Sequence, residues 1–126
     1  MEKELGEPKE RKIKVLVADD EESMSVFVGK KLLEEKMVLP TVIVGSAEKA
    51  LEEIGKGGFT HVITDGFRGD WKKVAQAAQE KGIDITVLSG DEDVKEEVLK
   101  EKDIRFISKP MRLEQIREIF EERQCS

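Results

Sequence analysis

Residues 13–20 read IKVLVADD, a β-branched apolar run that stops at two acids. Its length and its Val and Ile content suit a buried strand, and the acids mark the point where the strand meets solvent. The same construction recurs at 60–65, THVITD, where a second apolar run ends on Asp65. Between and beyond these runs the apolar period changes from strand-like to helical. Met24, Phe27, Val28 and Leu32 form one stripe, which predicts a first helix over 23–36. Pro40 forbids its continuation and starts a second strand at 41–44. Ser46 is placed to cap a second helix whose inward face is Ala47, Ala50, Leu51 and Ile54, ended by Gly55, Gly57 and Gly58. After Asp65, the loop 66–70 leads to a third helix carrying Trp71, Val74, Ala75 and Ala78 on one side, closed by Gly82. A fourth strand is expected at 83–88. A fourth helix follows, capped by Asp91 or Asp93 and containing Val94 and Val98. A fifth strand at 104–107, then Pro110, precedes a closing helix with Leu113, Ile116, Ile119 and Phe120 as its apolar face.

Five βα units in strict succession imply a parallel sheet, because each connection must cross a sheet face. With right-handed crossovers, the expected fold class is α/β, a flavodoxin-like doubly wound (βα)5 domain with strand order 2-1-3-4-5. Its ligand crevice lies between the carboxyl ends of strands one and three. At 126 residues the chain has room for one such domain, expected over 12–122. Residues 1–11, charged and containing Gly6 and Pro8, read as a flexible arm, and 123–126 as a tail.

Composition narrows the partners. Charged residues are 40% of the chain and apolar residues 38%, with both signs interspersed, which suits a folded domain with charged helix faces. A net charge of −6 leaves no basic footprint for nucleic acid or an anionic membrane. Nothing approaches a membrane-spanning length, and Met1-Glu2-Lys3-Glu4 lacks the apolar segment of a secretory signal. One cysteine, Cys125, excludes an internal disulfide. A cytoplasmic protein is the expectation.

The chemistry sits where the strands end. Asp19, Asp20 and Asp65 converge on the expected crevice, and three close carboxylates repel unless a cation neutralises them. Carboxylate oxygens with room for water suit Mg²⁺, whose shell phosphate oxygens commonly complete. Strand four delivers Ser89, a hydroxyl able to donate to a phosphate oxygen, with Gly90 leaving open space beside it. Strand five delivers Lys109, a positive charge on a long stem, set before Pro110. Together these residues suit metal-assisted transfer of a phosphoryl group onto a carboxylate.

The segments KVLVADDEE, HVITD, VLSG and FISKP, in this order and at the ends of the expected strands, resemble the signatures of response-regulator receiver domains of two-component signalling. The resemblance covers 12 to about 122. It implies that Asp65 is the phosphoryl acceptor. It also implies that Asp19 and Asp20 position a Mg²⁺ or Mn²⁺ ion, with Asp65 and the main-chain carbonyl of Phe67 as further ligands. Ser89 matches the hydroxyl position that follows the phosphoryl group, Lys109 the lysine that pairs with the acceptor, and Phe106 the switching aromatic position.

The implied function is a signalling switch, not an enzyme. It receives phosphoryl from a histidine kinase or a histidine phosphotransfer protein, possesses no output domain, and acts on a further protein as a monomer or weak phosphorylation-dependent dimer. The face that responds comprises the fourth helix, fifth strand and fifth helix, roughly 91–122. The alternative is a pseudo-receiver, the same fold binding proteins independently of phosphorylation. Its support is the segment 65–71, Asp-Gly-Phe-Arg-Gly-Asp-Trp, which is shorter than the family's and lacks its Met-Pro pair. A hydrolase reading fails because the position two beyond Asp65 is Phe67, not a second acid. Arg68 and Asp70 read as solvated loop residues, Trp71 as packed beneath the third helix, and His61 as a surface or edge residue.

Overall fold

Five strands form one sheet in the computed structural model, in the order β2-β1-β3-β4-β5, with every pairing parallel. They are β1 Val15–Ala18, β2 Thr41–Val44, β3 His61–Asp65, β4 Asp84–Ser89 and β5 Ile104–Ser108. Among the described residues three α-helices connect them, α1 Ala47–Lys56, α2 Trp71–Glu80 and α3 Glu92–Leu99, and these are the second, third and fourth helices expected from the sequence. The structure describes residues 13–20, 41–109, 112, 114, 115 and 117–119. The N-terminal arm, the expected first helix at 23–36, Pro40, Pro110, Cys125 and three of the four apolar positions of the closing helix lie outside the described residues. The fourth of those positions, Ile119, is fully buried.

Register fixes which residues share a face. Val15 lies opposite Thr41 and His61, so Leu16, Ala18, Val62, Ile85 and Val87 point to one side. That side packs against Ala47, Ala50 and Ile54 of α1, Trp71, Val74, Ala75 and Ala78 of α2, and Val94 and Val98 of α3. The other side carries Val15, Val17, Ile63, Leu88 and Ile107, all buried. A sheet apolar on both faces is what parallel strands with helical crossovers require. Each fully buried Ile or Leu contributes about 1.5–3 kcal/mol.

Local chemistry sets the helix ends. Ser46 accepts a hydrogen bond from the Lys49 amide at 3.1 Å and starts α1. Gly55 lies inside that helix, and the terminating residue is Gly57, whose φ of 85° lets its N–H return to the Ile54 carbonyl. Of the two candidate caps for α3, Asp91 is the one used, its Oδ1 accepting from the Asp93 amide at 2.8 Å. Strand β4 runs one residue later than expected, which brings Ser89 into the sheet opposite Ser108. Strand β3 starts at His61; just before it, Thr60 is tied to Lys14 twice, its hydroxyl accepting the Lys14 N–H at 3.0 Å and its own N–H donating to the Lys14 carbonyl at 2.9 Å.

His61 departs from its expected place. It is 2% exposed, within a strand flanked on both sides by β1 and β4, and its Nδ1 lies 2.8 Å from the Thr60 hydroxyl. Position on an interior strand outweighs the polarity of the side chain. Trp71 is 2% exposed and belongs to the core, as expected. Among the described residues no helix is long and apolar enough to cross a membrane.

Candidate functional site

The carboxyl ends of β1, β3 and β5 bring together the acids and the lysine. Asp19 follows β1 directly, and its amide extends the pairing with β2 by donating to the Val44 carbonyl at 3.0 Å. Asp65 is the last residue of β3. Lys109 follows β5, held in line by its amide, which donates to the Ser89 carbonyl at 3.1 Å. Its Nζ then sits 2.8 Å from Asp65 Oδ1 and 3.2 Å from Asp19 Oδ2. The three groups are largely withdrawn from water, with the Asp19 side chain 2% exposed and those of Asp65 and Lys109 17% each. Asp20 is exposed, at the mouth of the site.

One carboxylate oxygen each from Asp19, Asp20 and Asp65 can be chosen so that all three lie within 4.8 Å of one another. Among the described residues three carboxylates face one ammonium, an excess of negative charge that a divalent cation would offset. The donors are all hard oxygens, and the exposed position of Asp20 leaves room for coordinating water. That donor set fits Mg²⁺ or Mn²⁺ and argues against a soft metal.

The second oxygen of Asp65, Oδ2, accepts the Phe67 amide at 2.8 Å. This bond opens a tight turn. The Gly66 carbonyl accepts from the amides of Gly69 at 2.9 Å and Trp71 at 3.2 Å, while the Phe67 carbonyl accepts from the Asp70 amide at 3.0 Å. The main-chain oxygen expected as a metal ligand is therefore already engaged once, with its second lone pair remaining. Phe67 and Arg68 have φ of 45° and 54°, and Gly69 has 105°. Two consecutive side-chain-bearing residues in the left-handed region store strain of about 1–2 kcal/mol each. A turn this tight is how the chain passes from Asp65 to α2 in so few residues.

Ser89 is 6% exposed, and its hydroxyl oxygen accepts the Asp91 amide at 3.0 Å, which ties it to the start of α3. Phe106 lies opposite Val87 and packs, partly buried, against the apolar core. Arg68 and Asp70 are exposed. Both line a cleft of about 630 Å³ beside the acids, together with Asp20, Ser46, Phe67 and Lys73.

Two participants were not foreseen. The Phe67 amide could not be read from the sequence, because a backbone donor leaves no trace in residue identity. Gly66 had a signal, a glycine directly after a strand-end acid, but only the packing gives it meaning. It is buried, and a Cβ there would lie 3.1 Å from Val94 Cγ2 and 3.5 Å from the Ser89 hydroxyl oxygen.

Neither a protein-family model nor a curated protein sequence matches the chain. Solved structures do. A response regulator receiver protein from Sinorhizobium medicae WSM419 superposes with a TM-score of 0.76 at 23% identity, covering 90% of this chain and 95% of its own. A CheY-like receiver domain protein from Methanospirillum hungatei JF-1 gives 0.72 at 18%, covering 90% and 94%. The receiver domain of the Saccharomyces cerevisiae response regulator Ssk1, crystallised with the histidine phosphotransfer protein Ypd1, belongs to a match at 0.71 and 18%, covering 91% and 90%. The fold is that of response-regulator receiver domains, five parallel strands in the order 2-1-3-4-5. A designed Rossmann 2x3 protein reaches a TM-score of 0.71 at 17% identity, so the fold by itself carries no chemistry. The side chains at the strand ends must carry it.

Proposed function

We propose that this protein is a two-component signalling receiver that accepts a phosphoryl group on Asp65. The observation that carries the reading is the convergence of Lys109 Nζ on both Asp65 and Asp19, with Asp20 close enough to complete an acidic trio. A carboxylate acting as nucleophile toward phosphorus must approach an anion, and a lysine within 3 Å lowers that electrostatic barrier. Asp65 supplies the attacking oxygen. The P–N bond of a phosphohistidine breaks, and the imidazole leaves and is protonated from solvent. Asp19 and Asp20, with Asp65 and the second lone pair of the Phe67 carbonyl, would hold a Mg²⁺ or Mn²⁺ ion, which would supply charge neutralisation for the phosphoryl oxygens. Lys109 then exchanges part of its carboxylate contact for a phosphoryl oxygen, and the Ser89 hydroxyl turns from the Asp91 amide to donate to another.

Partners follow from this chemistry. The donor is a histidine kinase or a histidine phosphotransfer protein, a pairing supported by the Ypd1 complex of a structurally similar receiver. The output is a change in the surface of α3, β5 and the chain that follows, with Phe106 as the aromatic that repacks when Ser89 moves. A switch, not a turnover enzyme, suits a site whose position two beyond the acceptor is Phe67 and offers no acid for rapid hydrolysis.

Incubation with Mg²⁺ and a small phosphodonor such as acetyl phosphate should add one phosphoryl mass to the intact protein. Asp65→Asn should take up none. A wild-type protein that stays unmodified with small donors and with phosphorylated histidine phosphotransfer protein would leave only a phosphorylation-independent binding module on this fold.

A further inference from the structure

The residue after the acceptor touches three parts of the molecule at once. Gly66 is joined covalently to Asp65, and its carbonyl anchors both the left-handed turn and the first amide of α2. Its missing side chain admits α3. A Cβ built on its backbone would stand 3.1 Å from Val94 Cγ2 and 3.5 Å from Val94 Cγ1, and 3.5 Å from the Ser89 hydroxyl oxygen. Val94 is 6% exposed, so it cannot swing into solvent to escape the contact. The backbone of Gly66 is ordinary right-handed helical, φ −68° and ψ −28°. Glycine is therefore not required there for conformation. What favours it is proximity, since a side chain there would press on Val94, which would have to give by a few tenths of an ångström.

We propose that Gly66 is a positioning residue that couples the state of the Asp65 site to α3 through direct packing of its backbone on Val94. The inference rests on the receiver reading for its purpose, but the coupling belongs to the packing itself. When a cation or a phosphoryl group engages Asp65, the Oδ2 bond to the Phe67 amide and the backbone at Gly66 adjust. Val94, seated against that backbone, carries the adjustment into α3. Ser89 gives a parallel link through its bond to the Asp91 amide. With no side chain between them, the two paths share one pivot.

The test follows α3 amides (Glu92–Leu99) by NMR during titration with Mg²⁺ and, separately, after addition of acetyl phosphate. Three proteins are compared with wild type: Gly66→Ala, Val94→Ala, and the double variant. Alanine adopts the native φ and ψ of position 66 without strain, so the first variant adds a methyl group and little else. In the wild type, Mg²⁺ should shift α3 amide resonances. Gly66→Ala should displace α3 at rest and lose that Mg²⁺ response. Val94→Ala alone should weaken the response, and adding Val94→Ala to Gly66→Ala should return the resting α3 resonances toward wild type by vacating the methyl's space. Wild-type α3 amides indifferent to Mg²⁺, or a Gly66→Ala protein that responds as wild type does, would overturn the coupling, as would a double variant whose resting α3 resonances stay displaced. The receiver reading is separately decided by phosphoryl mass. A Mg²⁺ response without uptake from any donor would uphold the coupling and sink that reading, and uptake with an unaltered response in Gly66→Ala would do the reverse.

Discussion

At the scale of single residues, Lys109 holds two carboxylates that would otherwise face each other across the top of the sheet. Its Nζ touches Asp65 and Asp19, and the Asp19 side chain is 2% exposed, so the negative charge has little water to spread into. Lys109→Met keeps the apolar stem and removes the charge. Loss of one partner from a buried pair costs about 3–5 kcal/mol, and the 17% exposure of the Lys109 and Asp65 side chains puts this site at the lower end. Urea unfolding should report a loss of about 3 kcal/mol without Mg²⁺ and a smaller one with it. An unchanged midpoint would show that solvent already screens the acids. These residues were legible because each is a polar group terminating an apolar strand, where only the chain's exit from the core explains it. The Phe67 amide was not legible, since nothing in the letters Phe and Arg announces a left-handed backbone. His61 misled for a related reason. Its polarity speaks for the surface, although the expected order 2-1-3-4-5 already sets its strand in the interior of the sheet, where both neighbours bury it.

Elements show a similar division. Helix ends were readable where a side chain does the capping, at Ser46 outright and at the fourth helix as a choice between Asp91 and Asp93, and uncertain by a residue or two where glycines cluster. Ser46→Ala removes the acceptor for the Lys49 amide and should lower stability by about 1 kcal/mol in chemical unfolding, with Ser46→Gly costing less. The turn 67–69 gives a prediction of opposite sign. Arg68 has φ 54° and ψ 35° and is exposed. Arg68→Gly should therefore raise the unfolding free energy by about 1 kcal/mol, the left-handed strain relieved less the added entropy of the unfolded glycine. A loss of stability would mean that the guanidinium holds the turn by a contact of its own. This variant also separates the roles of the loop. If phosphoryl uptake is unaffected, the short segment after Asp65 serves geometry and not donor recognition.

For the whole molecule, alternation of strand and helix made the architecture legible before any site was considered. The order 2-1-3-4-5 follows from handedness and the avoidance of crossed connections, and in that order parallel strands bring Asp19, Asp65 and Lys109 to the same end of the sheet. What could not be read is how closely the layers approach, which is why the seat of Val94 on Gly66 emerges only from packing. The metal reading carries a global prediction. A ligand that binds only the folded state stabilises it by about 2.7 kcal/mol at a hundredfold excess over its dissociation constant. Thermal unfolding of the wild type should therefore shift upward with Mg²⁺. Asp20→Asn, which removes the most exposed of the three carboxylates, should unfold at a higher temperature than wild type without Mg²⁺ and gain much less from it. A full Mg²⁺ response in that variant would place the cation elsewhere.

The span of the Asp65–Lys109 contact has a consequence for how the protein is made. The two residues are 44 positions apart, and the lysine comes from the last strand of the sheet. As the nascent chain leaves the ribosome, the acids emerge well before their cation, and β4 must dock before β5 can deliver it. A chain interrupted before β5 thus holds unbalanced carboxylates at the carboxyl ends of β1 and β3 and lacks Lys109. On the receiver reading proposed above, a chain interrupted before β5 should take up no phosphoryl group.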